Sequence, residues 1–504
     1  MKVSNAHLDP FFMDTCNPGD RSQETCHQYM NPSLPLCVDL DGTLLATDCL
    51  WESFVLRLKQ NPFIVFLVPF WLLKGKAFLK SRLASKTELD VDSLPENPRF
   101  LNWLASQVNL NREIYLVSAS DQALVSSVAD KFGFFKEAIG SSEGVNLRGK
   151  NKAKYLVDRF GEKGFDYAGN DFSDLAIWAH SQTAILVHPL PRLAAKVPDE
   201  NRVVIEEDRV SVPKAFVKAI RPHQWMKNLL IFIPLLTAHA YFDTSAWTSA
   251  LLAFVSFSFC ASAVYLINDL TDLVSDRLHS SKRNRPFASG ALPLYYGLIG
   301  SPFLLMFSLL IMVFANYTSG LPVLGIYFLA TCLYSFWLKQ VAGVDIVFLA
   351  GLYTLRLIQG GAVIEVEISE WLLAFSLFFF LSLALAKRFS ELFNIKEENR
   401  DRVMGRGYLA SDLNLMAMLG SSSAYLSVLV LALYVSSERV TGLYKQPEWI
   451  WLICPIMLTW VTRLWLVTYR GEMDEDPISF AIKDRFSYGT IVLMAIIAFL
   501  ASPI

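Results

Sequence analysis

The sequence predicts a two-part chain: an α/β domain built on a parallel sheet, followed by an all-α polytopic membrane domain of nine transmembrane helices. Three observations predict it. Between Leu34 and about Arg209, short β-prone runs alternate with helix-like stretches, the pattern of a parallel sheet with helices on both faces. From Val217 onward the chain is apolar for almost three hundred residues, in stretches of the ~20 residues that a bilayer crossing needs. Of the 504 residues, 53% are apolar and only 18% charged. Soluble domains carry about 25% charged residues, so a disordered chain, a collagen and a purely soluble enzyme are excluded.

The elements follow in order. Residues 1–33 form an N-terminal tail with no apolar run, so no secretory signal is expected and the N-terminal domain is placed in the cytoplasm. The α/β domain covers 34–209, with strands expected at Leu36–Leu40, Glu113–Ala119, Asp166–Gly169 and Thr183–Val187. Pro62–Leu73 is strongly apolar, yet twelve residues broken by Pro69 are too short to span. A buried helix of the α/β domain is the first expectation. The alternative is an interfacial helix whose flanking Lys74, Lys76 and Lys80 lie near lipid headgroups.

The membrane domain covers 210–504, with spans expected at roughly 226–242, 248–267, 293–314, 321–338, 344–364, 370–387, 413–435, 449–468 and 487–502. Loop charge tests that count. With the α/β domain on one side, the same side receives Lys214, Lys218, Arg221, Arg277, Lys282, Arg283, Arg285, Lys339, Lys387 to Arg406, Arg470, Lys483 and Arg485, while the other receives only Arg439 and Lys445. Basic loops favour the cytoplasm, so a multi-pass protein of the cell inner (cytoplasmic) membrane is expected. The formal charge of −2, from 45 basic and 47 acidic residues, gives no reason to expect nucleic acid. The seven cysteines form no CxxC pair and read as apolar fillers or free thiols.

Chemistry concentrates in two places. In the α/β half, Val38-Asp39-Leu40-Asp41-Gly42-Thr43-Leu44 sets two carboxylates two residues apart after a strand, ahead of a glycine turn. One carboxylate can attack phosphorus while its neighbour protonates the leaving oxygen. Ser118 in LVSAS, Lys152 in GKNKAKYL, and Asn170, Asp171 and Asp174 in AGNDFSD follow, each ending a strand or opening a helix, where open α/β sheets collect ligands. A lone DxD is weak evidence; the ordered set is specific.

These motifs resemble the haloacid dehalogenase-like phosphatases, especially the phosphoserine-phosphatase-like branch, over 34 to about 205. The resemblance implies a Rossmann-like fold with a helical cap at about 44–97. It also implies Asp39 as nucleophile, Asp41 as acid/base, Ser118 and Lys152 on the phosphoryl oxygens, and Mg²⁺ held by Asp39 and Asp41 with Asp171 or Asp174. The family's last motif often opens on an acid where this chain has Asn170, which removes one charge from that site.

In the membrane half, Asn268-Asp269-Leu270-Thr271-Asp272-Leu273-Val274-Ser275-Asp276 follows the second span. Spacings of three and four put Asp269, Asp272 and Asp276 on one helix face, where like charges repel unless a cation joins them. An all-oxygen set suits Mg²⁺ shared with a substrate phosphate. Lys282, Arg283 and Arg285 follow, able to grip phosphate or simply to mark the basic side of the membrane. Arg356 and Arg463 lie inside spans, where a charge serves a site or pairs with a carboxylate such as Asp345. Gly360, Gly361 and Ala362 are expected to let helices pack closely.

The NDxxDxxxD pattern and the KRxRP loop, set among these spans, resemble the UbiA superfamily of intramembrane prenyltransferases. Within it the similarity is to the decaprenyl-phosphate phosphoribosyltransferase group, carried by IRPHQWMKNLLIFIPLL (220–236), YLINDLTDLVSDRLHSSKRNRPFASG (265–290), LRLIQGGA (355–362) and RLWLVTYRGEMDEDP (463–477). Where related enzymes carry a second acidic motif, this chain reads AKRFSELFNIKEENRDRV, with Lys387 and Arg388 suited to a lipid monophosphate.

The resemblance implies Mg²⁺ on Asn268, Asp269 and Asp272, with Asp276 nearby. Arg221, Lys227, Lys282, Arg283, Arg285, Arg356, Lys387 and Arg388 become candidate substrate contacts. The implied activity is transfer of 5-phosphoribose from phosphoribosyl pyrophosphate to a polyprenyl phosphate lipid, as in cell wall precursor synthesis, with the fused domain removing a phosphomonoester. Two alternatives stand beside it: prenyl transfer to an aromatic or other small acceptor, and a lipid or phosphosugar transporter with a regulatory phosphatase-like domain.

Overall fold

The computed structural model describes residues 31–61, 63–73, 82, 89–142, 146–208, 210–279, 281–397, 406–437, 444–473 and 477–502. The tail through Met30, Lys74, Lys76, Lys80, part of the cap and Arg439 lie outside the described residues. The chain forms two compact units, one of residues 1–212 with 280–294 and one of 213–279 with 295–504. The segment carrying Lys282, Arg283 and Arg285 thus folds with the first unit, although it connects two membrane helices.

The first unit is a six-stranded, all-parallel sheet of β1 (Leu36–Val38), β2 (Ile114–Asp121), β3 (Glu137–Ser141), β4 (Asp166–Gly169), β5 (Ala184–Val187) and β6 (Arg202–Ile205), in the order β3-β2-β1-β4-β5-β6. The central strands β1, β4 and β5 are buried throughout. The side chains of these strands and of β2 divide between two apolar layers, Leu36, Val38, Leu116 and Ile185 on one face and Cys37, Tyr115, Tyr167 and Leu186 on the other. Parallel strands covered on both faces are uniformly apolar, and for that reason legible. The two edges, β3 and β6, were not expected. β6 alternates half-exposed with buried residues, and β3 buries only Ile139 and Gly140, so neither shows an apolar run.

Five longer helices serve this sheet: α1 (Cys49–Gln60), α2 (Ile64–Leu73), α3 (Pro98–Asn109), α4 (Gln122–Phe132) and α5 (Lys150–Phe160). Asp48 caps α1 by accepting from Leu50 N–H at 2.8 Å, and Asp121 caps α4 through Ala123 N–H at 3.0 Å. Asn97, buried at the start of α3, donates to the carbonyls of Gly42 and Thr43 at 3.0 and 2.6 Å, fixing the turn after the paired aspartates. The apolar stretch expected as a buried helix is α2, and the structure overturns that expectation. Ile64 is buried, but Phe63, Leu67, Phe70 and Leu73 are exposed.

In the second unit six helices among the described residues are long and apolar enough to cross a membrane: α8 (Thr244–Thr271), α10 (Leu294–Phe314), α12 (Val344–Ile364), α13 (Glu370–Glu397), the run ending in α14 (Leu413–Val435) and the run ending in α15 (Ile453–Tyr469). Two apolar helices are shorter, α11 (Gly320–Phe336) and α16 (Arg485–Ala501). The first expected span, 226–242, is not an α-helix over most of its length. After α6 (Val212–Ile220), Pro222–Phe232 winds as a 3₁₀ helix and only Ile233–Thr237 is α-helical, as α7; α9 (Leu273–Leu278) follows α8.

Eleven residues of 3₁₀ helix are unusual, and backbone of this kind at membrane depth requires protein around it. Arg221 enters the segment at φ +52°, with Pro222 next in line and Pro234 just beyond its end. Side chains hold it. Trp225 donates to Ser262 Oγ at 2.9 Å, Asn228 donates to Ser258 Oγ at 3.0 Å, and Arg356 of α12 donates to Asn228 Oδ1 at 2.8 Å. Gly360 completes the seat, since a Cβ there would meet the Ile231 carbonyl oxygen at 2.1 Å. Gly360→Ala should therefore lower the thermal midpoint of the purified protein by several degrees, as overpacking against backbone costs about 1–3 kcal/mol. An unchanged midpoint would mean that the close approach does not exist.

Candidate active sites

The site in the α/β unit lies at the carboxyl ends of β1, β2 and β4, on both sides of the central strand from which the sheet is wound outward in opposite directions. Asp39 follows β1, and its Oδ1 accepts from its neighbour Leu40 N–H and from Lys152 Nζ, each at 2.9 Å. Lys152, at the start of α5, also donates to the Val117 carbonyl at 3.2 Å and to Tyr167 Oη at 2.9 Å. Its three protons are thus all directed. Burial pushes the Asp39 carboxyl up to about 7; Lys152 opposes the rise and Asp174 adds to it.

Asp41 faces the other way. It accepts from Ser120 Oγ at 2.7 Å and from Cys49 N–H at 2.8 Å, with Ser118 Oγ at the long distance of 3.4 Å. Ser120 was missed in the sequence reading; its place two residues past Ser118, on the same face of a strand, is the signal that identifies it. Gly42 is required by its backbone, at φ +76°, and by its neighbour, because a Cβ would lie 2.1 Å from the Asn170 amide nitrogen.

The two acids after β4 relate to this group differently. Asp174 is buried, its Oδ2 capping Asn170 and Asp171 N–H at 3.0 and 2.9 Å and its Oδ1 accepting from Tyr167 Oη at 3.1 Å. Asp171 is exposed and turns to Phe172 N–H and Ser173 Oγ. Asn170 lies over the turn that follows the paired aspartates, its Oδ1 accepting from Thr43 Oγ1 at 3.3 Å and its amide against Gly42. Among the described residues no cluster of three or more His, Cys, Asp or Glu side chains gathers here or elsewhere.

The site in the membrane unit lies where α8 ends. Asp269 is 2% exposed and pairs with Arg221, whose guanidinium also stacks 5.3 Å over Tyr265. Asp272 receives Lys339 Nζ on both carboxylate oxygens at 2.8 Å. Lys339 was read from sequence only as loop charge. The helix face expected to carry Asp269, Asp272 and Asp276 is interrupted: α8 stops at Thr271, Asp272 sits at φ −98°, ψ 9°, and α9 restarts at Leu273. Asp276 is buried on α9, Asn268 is half-buried, and Lys227 is buried on the 3₁₀ segment.

Two expected phosphate contacts are engaged elsewhere. Arg388 is 1% exposed, bound to Asp345 Oδ2 at 2.6 Å, to Glu391 at 2.5 Å and to Tyr334 Oη at 2.6 Å, while Tyr408 donates to the other oxygen of Asp345. A guanidinium so enclosed ties α11, α12 and α13 together and has no open face for a lipid phosphate. Lys387, beside it, is half-buried. Arg356 donates to Asn228, Tyr327 and its own helix's Leu352 carbonyl, under the rings of Phe257, Tyr327 and Tyr353. Asp345 therefore pairs with Arg388 and not with Arg356, and Arg463 pairs with Asp484 at 2.7 Å. The five described cysteines are all free thiols, as expected.

Comparison with known proteins adds the ancestry. The profile of the UbiA prenyltransferase family matches residues 229–500. An uncharacterized protein of Sinorhizobium fredii, y4nM, is 34% identical over 466 residues, 92% of this chain and 90% of its own length. The decaprenyl-phosphate phosphoribosyltransferase of Mycolicibacterium smegmatis is 32% identical over 284 residues, 53% of this chain and 86% of its own. Among solved structures, a UbiA homolog from Archaeoglobus fulgidus bound to GPP and Mg²⁺ covers 57% of this chain and 99% of its own, at 15% identity and TM-score 0.45. Phosphoserine phosphatase in its apo form covers 35% of this chain and 94% of its own, at 15% identity and TM-score 0.27.

The raised Asp39 carboxyl makes a measurable statement about stability. Its folded pKa lies above the ordinary value of 3.8, so its contribution is complete below that value and is lost as pH rises through about 7, where the buried group must ionise. With divalent cations chelated, the wild-type protein should lose thermal stability as pH rises from the ordinary carboxylate value of 3.8 to about 7 and level off above that, and Asp39→Asn should flatten the loss. Parallel stability curves for the two proteins would show that Asp39 ionises normally.

Proposed function

Because the chain belongs to the UbiA prenyltransferase family, we propose that its membrane unit transfers 5-phosphoribose from phosphoribosyl pyrophosphate to a polyprenyl phosphate, and that its α/β unit then removes the 5-phosphate. The observation that carries the first half is the pairing of Asp269 with Arg221 and of Asp272 with Lys339 at one end of the membrane helices. Acids and bases interleaved this way hold both parts of a metal–diphosphate. Similarity to a decaprenyl-phosphate phosphoribosyltransferase over 86% of that enzyme's length supports the choice of donor and acceptor.

The donor set fits magnesium. Asn268, Asp269 and Asp272 offer only oxygens, as do Asp39 and Asn170 in the other unit, and Mg²⁺ commonly takes one or two carboxylates and completes its shell with water and substrate phosphate. The ion supplies charge neutralisation at the diphosphate in one unit and at the phosphoryl group in the other. The side chains do the rest. Arg221 and Lys339 shield the acids while the site is empty and turn to the diphosphate oxygens when it fills. An oxygen of the lipid phosphate attacks ribose C1 as the bond from C1 to pyrophosphate breaks. The nucleophile is already anionic, so no protein base is needed.

In the α/β unit, Asp39 attacks phosphorus and the bond to the sugar oxygen breaks. Lys152 balances charge on Asp39 and on the phosphoryl oxygens. Asp41, held by Ser120 and the Cys49 N–H, gives its proton to the departing hydroxyl and later takes one from the water that hydrolyses the aspartyl phosphate. The two steps belong together chemically, because the product of the first carries the phosphomonoester consumed by the second. On this reading the protein is a multi-pass enzyme of the inner membrane with the α/β unit in the cytoplasm, where its sugar donor is found.

Separate variants should divide the two activities. Asp269→Asn and Asp272→Asn should each lower label transfer from phosphoribosyl pyrophosphate to lipid by a factor of about 10² or more, the usual cost of a lost transition-state charge contact. Near-wild-type transfer in both would exclude this site. Asp39→Asn should leave transfer intact and cause the phosphorylated lipid to accumulate, whereas unchanged phosphate release would remove the phosphatase assignment.

A further inference from the structure

Helix α2 is the feature that neither reaction uses. All ten of its residues, IVFLVPFWLL, are apolar. On it and at its entrance, Phe63 is 73% exposed, Leu67 46%, Phe70 65% and Leu73 85%, while Ile64 is buried against the domain. Positions 63, 67, 70 and 73 fall three or four apart and share one face of the helix. Other large apolar side chains exposed on this unit, such as Leu110, Phe172 and Leu190, stand singly. Scattered exposure of that kind is ordinary; a continuous apolar helix face is not.

We propose that α2 lies in the surface of the lipid bilayer and holds the mouth of the α/β site at the membrane. Three facts select lipid over a protein partner. Apart from the Trp71 indole N–H the helix offers no polar side-chain group, whereas protein interfaces carry about one hydrogen bond per 100–200 Å². Trp71 lies within it and Lys74, Lys76 and Lys80 follow it in the sequence, the residue types that anchor a segment at headgroup level. The same chain carries, in its other unit, helices long and apolar enough to cross a membrane, so a bilayer is a partner that it meets. At ten residues, about 15 Å, the helix is too short to cross and suited to lying flat.

The placement has a chemical meaning. The preceding helix, α1, opens with the Cys49 N–H on Asp41 and runs twelve residues, about 18 Å, toward α2. An α2 seated among headgroups brings the Asp39 and Asp41 site within one short helix of the interface. The substrate class that gains from this is a phosphomonoester whose tail never leaves the bilayer. That last clause rests on the phosphatase reading; the lipid contact itself does not.

The test uses the full-length protein in phosphatidylethanolamine/phosphatidylglycerol nanodiscs, with the photoreactive residue p-benzoylphenylalanine at position 70 or, as control, at exposed Leu190. Lipid adducts at position 70 should exceed those at 190 by roughly tenfold. Equal yields, or cross-links from position 70 to a second copy, would overturn the proposal. The triple variant Phe63→Ser, Leu67→Ser, Phe70→Ser should lose roughly tenfold more activity on a lipid-linked phosphomonoester than on p-nitrophenyl phosphate. Equal losses would overturn the positioning role. A wild-type protein inactive on both substrates, yet showing the lipid adducts, would sink the phosphatase reading and leave the membrane contact standing.

Discussion

A charge removed from water must be answered within a few ångströms, and both units of this protein are arranged around that requirement. In the α/β unit the answer is a chain of contacts: Asp39 to Lys152, Lys152 to Tyr167, and Tyr167 to Asp174. Each member uses its partner to remain buried, and the outcome is a lysine whose three protons have fixed directions. In the membrane unit the same requirement yields Arg388 enclosed by Asp345, Glu391 and Tyr334, and Arg356 enclosed by an amide, a phenol and three aromatic rings. Removing one partner of such a group costs about 3–5 kcal/mol, because the other charge remains behind.

Two kinds of charged group can be told apart on this basis. Arg388 and Arg356 have their donors committed to protein and connect helices. Arg221 and Lys339 sit on carboxylates that have a use for a different cation, and both retain some exposure, 20% and 14% of their side chains. Partners of that kind can be exchanged when substrate arrives. The broken first span begins beside the same acids. Arg221 starts the 3₁₀ segment and Asn228 anchors it to Arg356, so the irregular backbone is fixed at one end by the acids and further along by the buried guanidinium.

Much of this was legible in the sequence, for physical reasons. Central parallel strands and membrane helices are apolar over long runs, so β1, β4 and β5 and most of the spans were readable. What escaped depends on which way side chains turn. Asp171 and Asp174 read alike by residue type, yet Asp171 is exposed and Asp174 is buried, capping its own backbone and accepting from Tyr167. Arg388 read as a phosphate contact until its three partners, 43, 3 and 54 residues away in sequence, closed around it. Hydropathy counts apolar residues and cannot distinguish α-helix from 3₁₀, so the first span was counted like the others. It also could not decide whether α2 was inside the domain or on its surface.

The central claim is that one chain forms a ribosyl–phosphate bond to a lipid and then removes the phosphate it has brought. The direct measurement supplies the purified wild-type protein with doubly labelled phosphoribosyl pyrophosphate, Mg²⁺ and a polyprenyl phosphate, and follows lipid-bound ribose, pyrophosphate and inorganic phosphate in one time course. The account predicts equal amounts of pyrophosphate and lipid-bound ribose from the start, with inorganic phosphate rising after a lag toward the same amount. Pyrophosphate release without lipid labelling, or phosphate release that precedes labelling, would contradict it.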